Sequence, residues 1–151
     1  MVKMLNLDLF VGNKDEYLTA LNNKMKVVCC ISKGQLSHLS VAGMVDSTHQ
    51  DYLYKETKDG LFLNMVDADN IKYIPAKMIS KALDYIDNEL TKGNKVFVFC
   101  SLGQSRSPSI ALMYLFRANL ISSISEFIRI YPKYKPNTGI LNYVKKYYSA
   151  T

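Results

Sequence analysis

Apolar and polar positions along the chain follow two periods, and the switches between them divide it into strands and helices. Residues 26–31, Lys-Val-Val-Cys-Cys-Ile, are a short run of β-formers closed by Gly34, which reads as a strand buried on both faces. A second such run at 61–66 follows the turn signal Asp59-Gly60, a third spans 95–99, and a shorter strand is predicted near 7–11. Residues 14–22 read as a helix. Ile79, Ala82, Leu83, Ile86 and Leu90 recur on one helical face, with Pro75 suited to the first turn and Gly93 to the position just past the end.

The helix predicted over 107–119 is apolar nearly all round and so belongs in a core. Ser123-Ile124-Ser125-Glu126 is a capping box opening a helix to about Tyr131, and Asn137 caps a last helix running through Tyr148. Residues 37–58 show no clear period. The order β-α-β-β-α-β-α-α-α predicts one α/β domain, a central and mostly parallel twisted sheet with helices on both faces. In such sheets ligands sit beyond the carboxyl ends of the strands, near helix N-termini.

Composition narrows this picture. With 151 residues, 48% hydrophobic and 21% charged, the chain is the size of a single domain and can bury a substantial core. Its longest apolar run, Ile110 to Phe116, is far shorter than the roughly 20 residues of a membrane-spanning helix, and residues 4–10 alternate instead of forming a signal peptide. A cytoplasmic or other reducing compartment is expected. The cysteines, Cys29, Cys30 and Cys100, are three in number, and the first two are neighbours, which argues against a disulfide framework. His38 and His49 are not spaced as a pair and there is no C-x-x-C, so neither a metal nor any other cofactor is expected.

The net charge of +6 favours anionic partners. The nearest approach to a nucleic-acid stripe is Lys133, Lys135, Lys145 and Lys146 among Tyr131, Tyr134, Tyr143, Tyr147 and Tyr148. It reads better as a solvated helix face backed by packed tyrosines. Phosphorylated partners are therefore expected, with no nucleic acid, no membrane and a monomeric chain.

The topological rule points to the loop after Phe99: Cys100-Ser101-Leu102-Gly103-Gln104-Ser105-Arg106-Ser107-Pro108. A loop that leaves a buried strand and enters a helix aims successive backbone N–H groups and the positive end of the helix dipole into one concavity, which suits phosphate. Gly103 allows the tight path, and Pro108 lacks an N–H where one would go unpaired. Cys100 sits at the base of this cradle, where positive potential favours the thiolate and makes it a nucleophile. Arg106 offers a planar fork to two phosphate oxygens, a role that lysine fills poorly, and it is one of only three arginines among 19 basic residues.

Residues 100–107 resemble the C-x-x-G-x-S-R-S signature of the cysteine-dependent dual-specificity protein phosphatases. Residues 9–13 are similar to that family's early strand and turn, 27–32 to its next strand, 64–69 to its acid loop, and Pro136-Asn137-Thr138-Gly139 to its closing motif. The resemblance covers nearly the whole chain, 1–151, and is weakest at 37–58. It implies that Cys100 attacks phosphorus to form a phosphocysteine. Arg106 and the amides of Ser101, Leu102, Gly103, Gln104, Ser105 and Arg106 then hold the equatorial oxygens. Ser107 would hydrogen-bond the thiolate and help it leave. Asp67, with Asp69 as competitor two residues on, would be the general acid, and the closing motif would buttress the loop. One departure stands out: the family places histidine before the nucleophile, and here Phe99 occupies that position, which implies slower turnover.

Three classes of function remain. The first is a protein phosphatase acting on phosphotyrosine and on phosphoserine/phosphothreonine. A second is a phosphatase for another phosphate. Against phosphoinositides, Ser101, Leu102, Gln104 and Ser105 include no lysine; against an RNA 5′-phosphate, the loop ends Ser-Arg-Ser. The third is a phosphate-binding module with weak turnover, supported by Phe99 alone. Cys29 and Cys30 point to opposite faces of their strand, so at most one can face the loop, as core packing or as a resolving thiol for Cys100.

Overall fold

The structure is a computed structural model that describes residues 1–32 and 50–149. His38, His49 and part of the periodless segment 37–58 lie outside the described residues. Six strands form one mixed sheet in the order β1-β2-β6-β3-β5-β4. They are β1 (Val2–Lys3), β2 (Leu9–Asn13), β3 (Lys26–Cys29), β4 (Tyr54–Glu56), β5 (Gly60–Leu63) and β6 (Val96–Cys100). The three inner pairings are parallel and the two at the edges, β1 with β2 and β4 with β5, are antiparallel. The helices are α1 (Tyr17–Asn22), α2 (Ala76–Thr91), α3 (Arg106–Arg117), α4 (Ile124–Ile130) and α5 (Thr138–Tyr147), with single 3₁₀ turns at Lys14–Glu16 and Ile71–Tyr73.

The sheet is therefore the expected mostly parallel one, with two short edge strands added. Its parallel strands are buried on both faces, as their unbroken hydrophobic runs require. Side-chain alternation sorts them into two cores. Val28, Cys30, Leu61, Leu63, Val96, Val98 and Cys100 face the larger core beneath α2, α3, α4 and α5. Val27, Cys29, Ile31, Phe62, Phe97 and Phe99 face a smaller one covered by Tyr17, Ala20 and Leu21 at α1. Each fully buried Leu, Ile or Phe contributes roughly 1.5–3 kcal/mol, so the larger core carries most of the stability.

Local chemistry moved several boundaries. The helix expected at 14–22 begins as a 3₁₀ turn because Asn13 and Glu16 close a capping box there. Pro75 is the N-cap of α2 and not its first helical residue, and Gly93 follows the end of that helix with φ +86°. Strand β5 ends at Leu63, three residues short of the predicted 66, and residues 64–66 form a loop held by Asn64 N–H donating to the Leu53 carbonyl at 2.8 Å. Helix α3 begins at Arg106, and its residues are buried without a break from there to Leu115. Among the described residues no helix is long and apolar enough to cross a membrane.

Candidate active site

The parallel pairings β2-β6-β3 carry the carboxyl end of β6 to the centre of one sheet rim, with Asn13 opposite Cys100 and Cys29 opposite Phe99. Cys100 is the last residue of β6, and Arg106 is the first of α3. The five residues between them reverse direction through Gly103, whose φ of +71° suits glycine. A Cβ there would stand 2.9 Å from the Gly12 carbonyl oxygen, so β2 presses directly on the loop. The Tyr131 hydroxyl, donating to the Gly103 carbonyl at 2.5 Å, ties the loop down from the α4 side.

Asp67, Cys100, Ser101, Leu102, Gln104, Ser105, Arg106 and Lys135 line one cavity of about 280 Å³. Cys100, Arg106 and Asp67, predicted from the sequence as site residues, thus lie around one cavity. Asp67 lines this cavity and Asp69 does not. The Arg106 side chain, 8% exposed, is fixed by Nη1 donating to the Met65 carbonyl at 3.1 Å and Nη2 to Ser101 Oγ at 3.3 Å. These bonds fix the guanidinium at the cavity wall.

Ser107 Oγ lies 3.2 Å from Cys100 Sγ and 3.0 Å from the Gly12 carbonyl, to which it donates. One hydroxyl carries one proton. With Cys100 as a thiol, that proton serves Gly12 and the S–H donates to Oγ. With Cys100 as a thiolate, the hydroxyl turns to the sulfur. The contact expected of Ser107 is therefore present in geometry.

Ser105 occupies the N-cap of α3, yet its side chain makes no capping bond. Such a serine ordinarily accepts from the helix's first amides. Here the hydroxyl donates to Asp67 Oδ1 at 2.7 Å and accepts from the Asn137 N–H at 2.9 Å. Asn137 completes the triangle, with Nδ2 donating to the Asp67 carbonyl at 2.8 Å and Oδ1 accepting from Thr138 N–H at 2.8 Å. It both caps α5 and joins the closing motif to the acid loop.

Sequence reasoning took Ser105 only for its amide and placed Lys135 on a solvated helix face, whereas it lies between α4 and α5 and lines this cavity. The backbone of Lys135 is pinned to the loop, its N–H donating to the Gln104 carbonyl at 2.7 Å. Cys29 and Cys30 face opposite cores, as alternation predicts. Burial pushes the Cys29 thiol up to about 12, and burial, followed by the neighbouring Cys100, pushes Cys30 well above the ordinary thiol range. All three cysteines are free and buried.

A cysteine at the end of a central parallel strand, under a loop closed by an arginine at a helix head, defines the class of cysteine-dependent phosphatase domains. Comparison with known proteins gives the family. The dual specificity phosphatase catalytic domain matches residues 17–148, and the chain belongs to that family. Human dual specificity protein phosphatase 1 is 42% identical over 53 residues, 35% of this chain and 14% of that protein. The matched stretch is thus a small part of the curated relative. Among solved structures, DUSP15 superposes with a TM-score of 0.69 at 16% identity, covering 98% of this chain and 87% of the other. The Cydia pomonella PTP-2 phosphatase gives 0.67 at 21% identity, covering 93% and 85%. At such identities these neighbours speak to the fold.

Proposed function

We propose that the protein hydrolyses phosphotyrosine and phosphoserine/phosphothreonine in phosphorylated proteins through a phosphocysteine intermediate. The observation that supports this is the shared cavity of about 280 Å³, which Cys100, Arg106 and Asp67 all line. Cys100 Sγ attacks phosphorus in line with the leaving oxygen, and Arg106 with the loop amides takes up the charge on the three equatorial oxygens. Asp67 gives its proton to the departing oxygen, then accepts one from the water that cleaves the S–P bond. Ser107 stabilises the thiolate as it leaves. The roles need no cofactor, and free thiols suit a reducing compartment.

Lys135 favours a second reading. A cation beside Arg106 at the cavity supports a substrate with a second anionic group, such as a phosphoinositide, although the loop interior carries no lysine of its own. Phosphate release from p-nitrophenyl phosphate, phosphopeptides, phosphoinositides and triphosphorylated RNA, by wild type, Cys100→Ser and Asp67→Ala, tests both. Phosphopeptides are expected to lead, and Cys100→Ser to abolish turnover. Activity that survives Cys100→Ser overturns the mechanism, and phosphoinositides leading moves the assignment to the second reading. Binding without release by the wild type would instead identify a phosphate-binding module.

A further inference from the structure

We infer that the Ser105 side chain is a positioning residue for the proton donor, a role distinct from the phosphate contact of its amide. The inference rests on Asp67 being the general acid. Ser105 Oγ accepts from the Asn137 N–H at 2.9 Å, which fixes one side of the hydroxyl. Its single proton is then directed to the other close partner, Asp67 Oδ1, at 2.7 Å. An oxygen that accepts this bond is the poorer place for the acid's own proton. That proton therefore resides on Oδ2, and Oδ2 is the atom that serves the leaving group.

The same bond gains strength as the reaction proceeds. When the P–O bond breaks and the S–P bond forms, the proton moves from Asp67 Oδ2 to the leaving oxygen, and Asp67 becomes a carboxylate. A hydroxyl bond to a carboxylate is shorter and about twice as strong as one to a neutral carboxyl. The interaction is thus stronger in the transition state than in the ground state, the condition for it to accelerate the step. The Asn137 Nδ2 bond to the Asp67 carbonyl, 2.8 Å, holds the backbone so that the carboxyl cannot follow a substrate away from the loop. The cost is local: a serine at an N-cap is withdrawn from capping α3.

A comparison of leaving groups isolates this role, because nitrophenolate departs with little help from an acid and phenolate does not. Wild type, Ser105→Ala, Ser105→Thr, Asp67→Asn and the Ser105→Ala/Asp67→Asn pair are assayed with p-nitrophenyl phosphate and with phenyl phosphate. Whatever Ser105→Ala loses with p-nitrophenyl phosphate, it is expected to lose about tenfold more in kcat with phenyl phosphate, part of the roughly 10²–10⁴ that general acids supply. Ser105→Thr restores the difference, and the pair shows no selective loss beyond that of Asp67→Asn alone. Equal losses on both substrates, whether from a damaged loop or from a lost phosphate contact, overturn the positioning role, as does no loss at all. If Asp67→Asn itself shows no selective loss with phenyl phosphate, it is the acid assignment that fails, and the inference falls with it.

Discussion

The Phe99 ring stacks on Tyr17 with centroids 5.1 Å apart and planes 23° apart, on the sheet face opposite Cys100. Phe97 also stacks on it, with centroids 5.5 Å apart. Where the wider family places histidine, this chain builds an aromatic cluster that braces the end of β6 by packing. Phe99→His puts a polar ring among apolar neighbours, and an unpartnered buried polar group costs about 1–3 kcal/mol. Because the side chain at 99 lies on the face opposite Cys100, the variant is expected to melt at a lower temperature than wild type without recovering the turnover that the family's histidine implies. A rise in kcat/KM at unchanged melting temperature would show that the imidazole finds a partner after all.

Gly103→Ala is expected to lower kcat/KM at least about tenfold. The left-handed conformation costs a non-glycine residue about 1–2 kcal/mol, and the new methyl would meet the Gly12 carbonyl at 2.9 Å, a backbone atom with no room to yield. Tyr131→Phe should act in the same direction through the lost bond to the Gly103 carbonyl. Steady-state kinetics on p-nitrophenyl phosphate measures both, and wild-type rates would show that the loop shape does not depend on these contacts.

Alkaline pH should destabilise the fold through its buried thiol and phenol groups. Burial raises Cys29 from 9.0 to about 12 and Tyr134 from 10.0 to about 12. Above about pH 9 the unfolded chain releases protons that the folded one keeps, so the unfolded state binds fewer and stability falls as pH rises. The contribution is fully present below pH 9 and is lost as the pH climbs toward 12. Urea midpoints across that range are expected to decline, and a flat series would contradict the burial of these two groups.

Alkylation should discriminate among the thiols. Cys29 and Cys30 are held protonated by burial, whereas Cys100 opens onto the cavity. Iodoacetamide at neutral pH is expected to label Cys100 alone, with inorganic phosphate slowing the reaction. Peptide mapping reads the result, and modification of Cys30 at a rate similar to Cys100 would mean that the larger core opens readily.

The features legible in the sequence were local ones. The stretch from 95 to 119 could be read because a strand period, a glycine, a helix-starting proline and a helical run succeed one another without a gap. Ser123 does accept from the Glu126 N–H, although Glu126 reaches back to Ser122 N–H and not to Ser123. Strands β1 and β4 carry too few residues to show a period and exist through their neighbours. Lys135 reaches the cavity only because α5 docks beside the acid loop, and the Ser105 hydroxyl turns from its cap only because Asn137 and Asp67 arrive from distant segments. The closing motif beside Lys135 signals that this segment meets the loop, but no local pattern tells which side chains meet there.

At Gly139, in the first turn of α5, an added Cβ would lie 2.2 Å from the Asn70 nitrogen and 2.6 Å from the Ala68 carbonyl oxygen. The acid loop rests on bare backbone there, so the reach of Asp67 toward the cavity is set by a missing methyl group. A side chain at this one position would push against residues 68–70, the segment that follows Asp67. On the mechanism proposed above, the placement of the proton donor thus depends on a side chain that α5 does not carry.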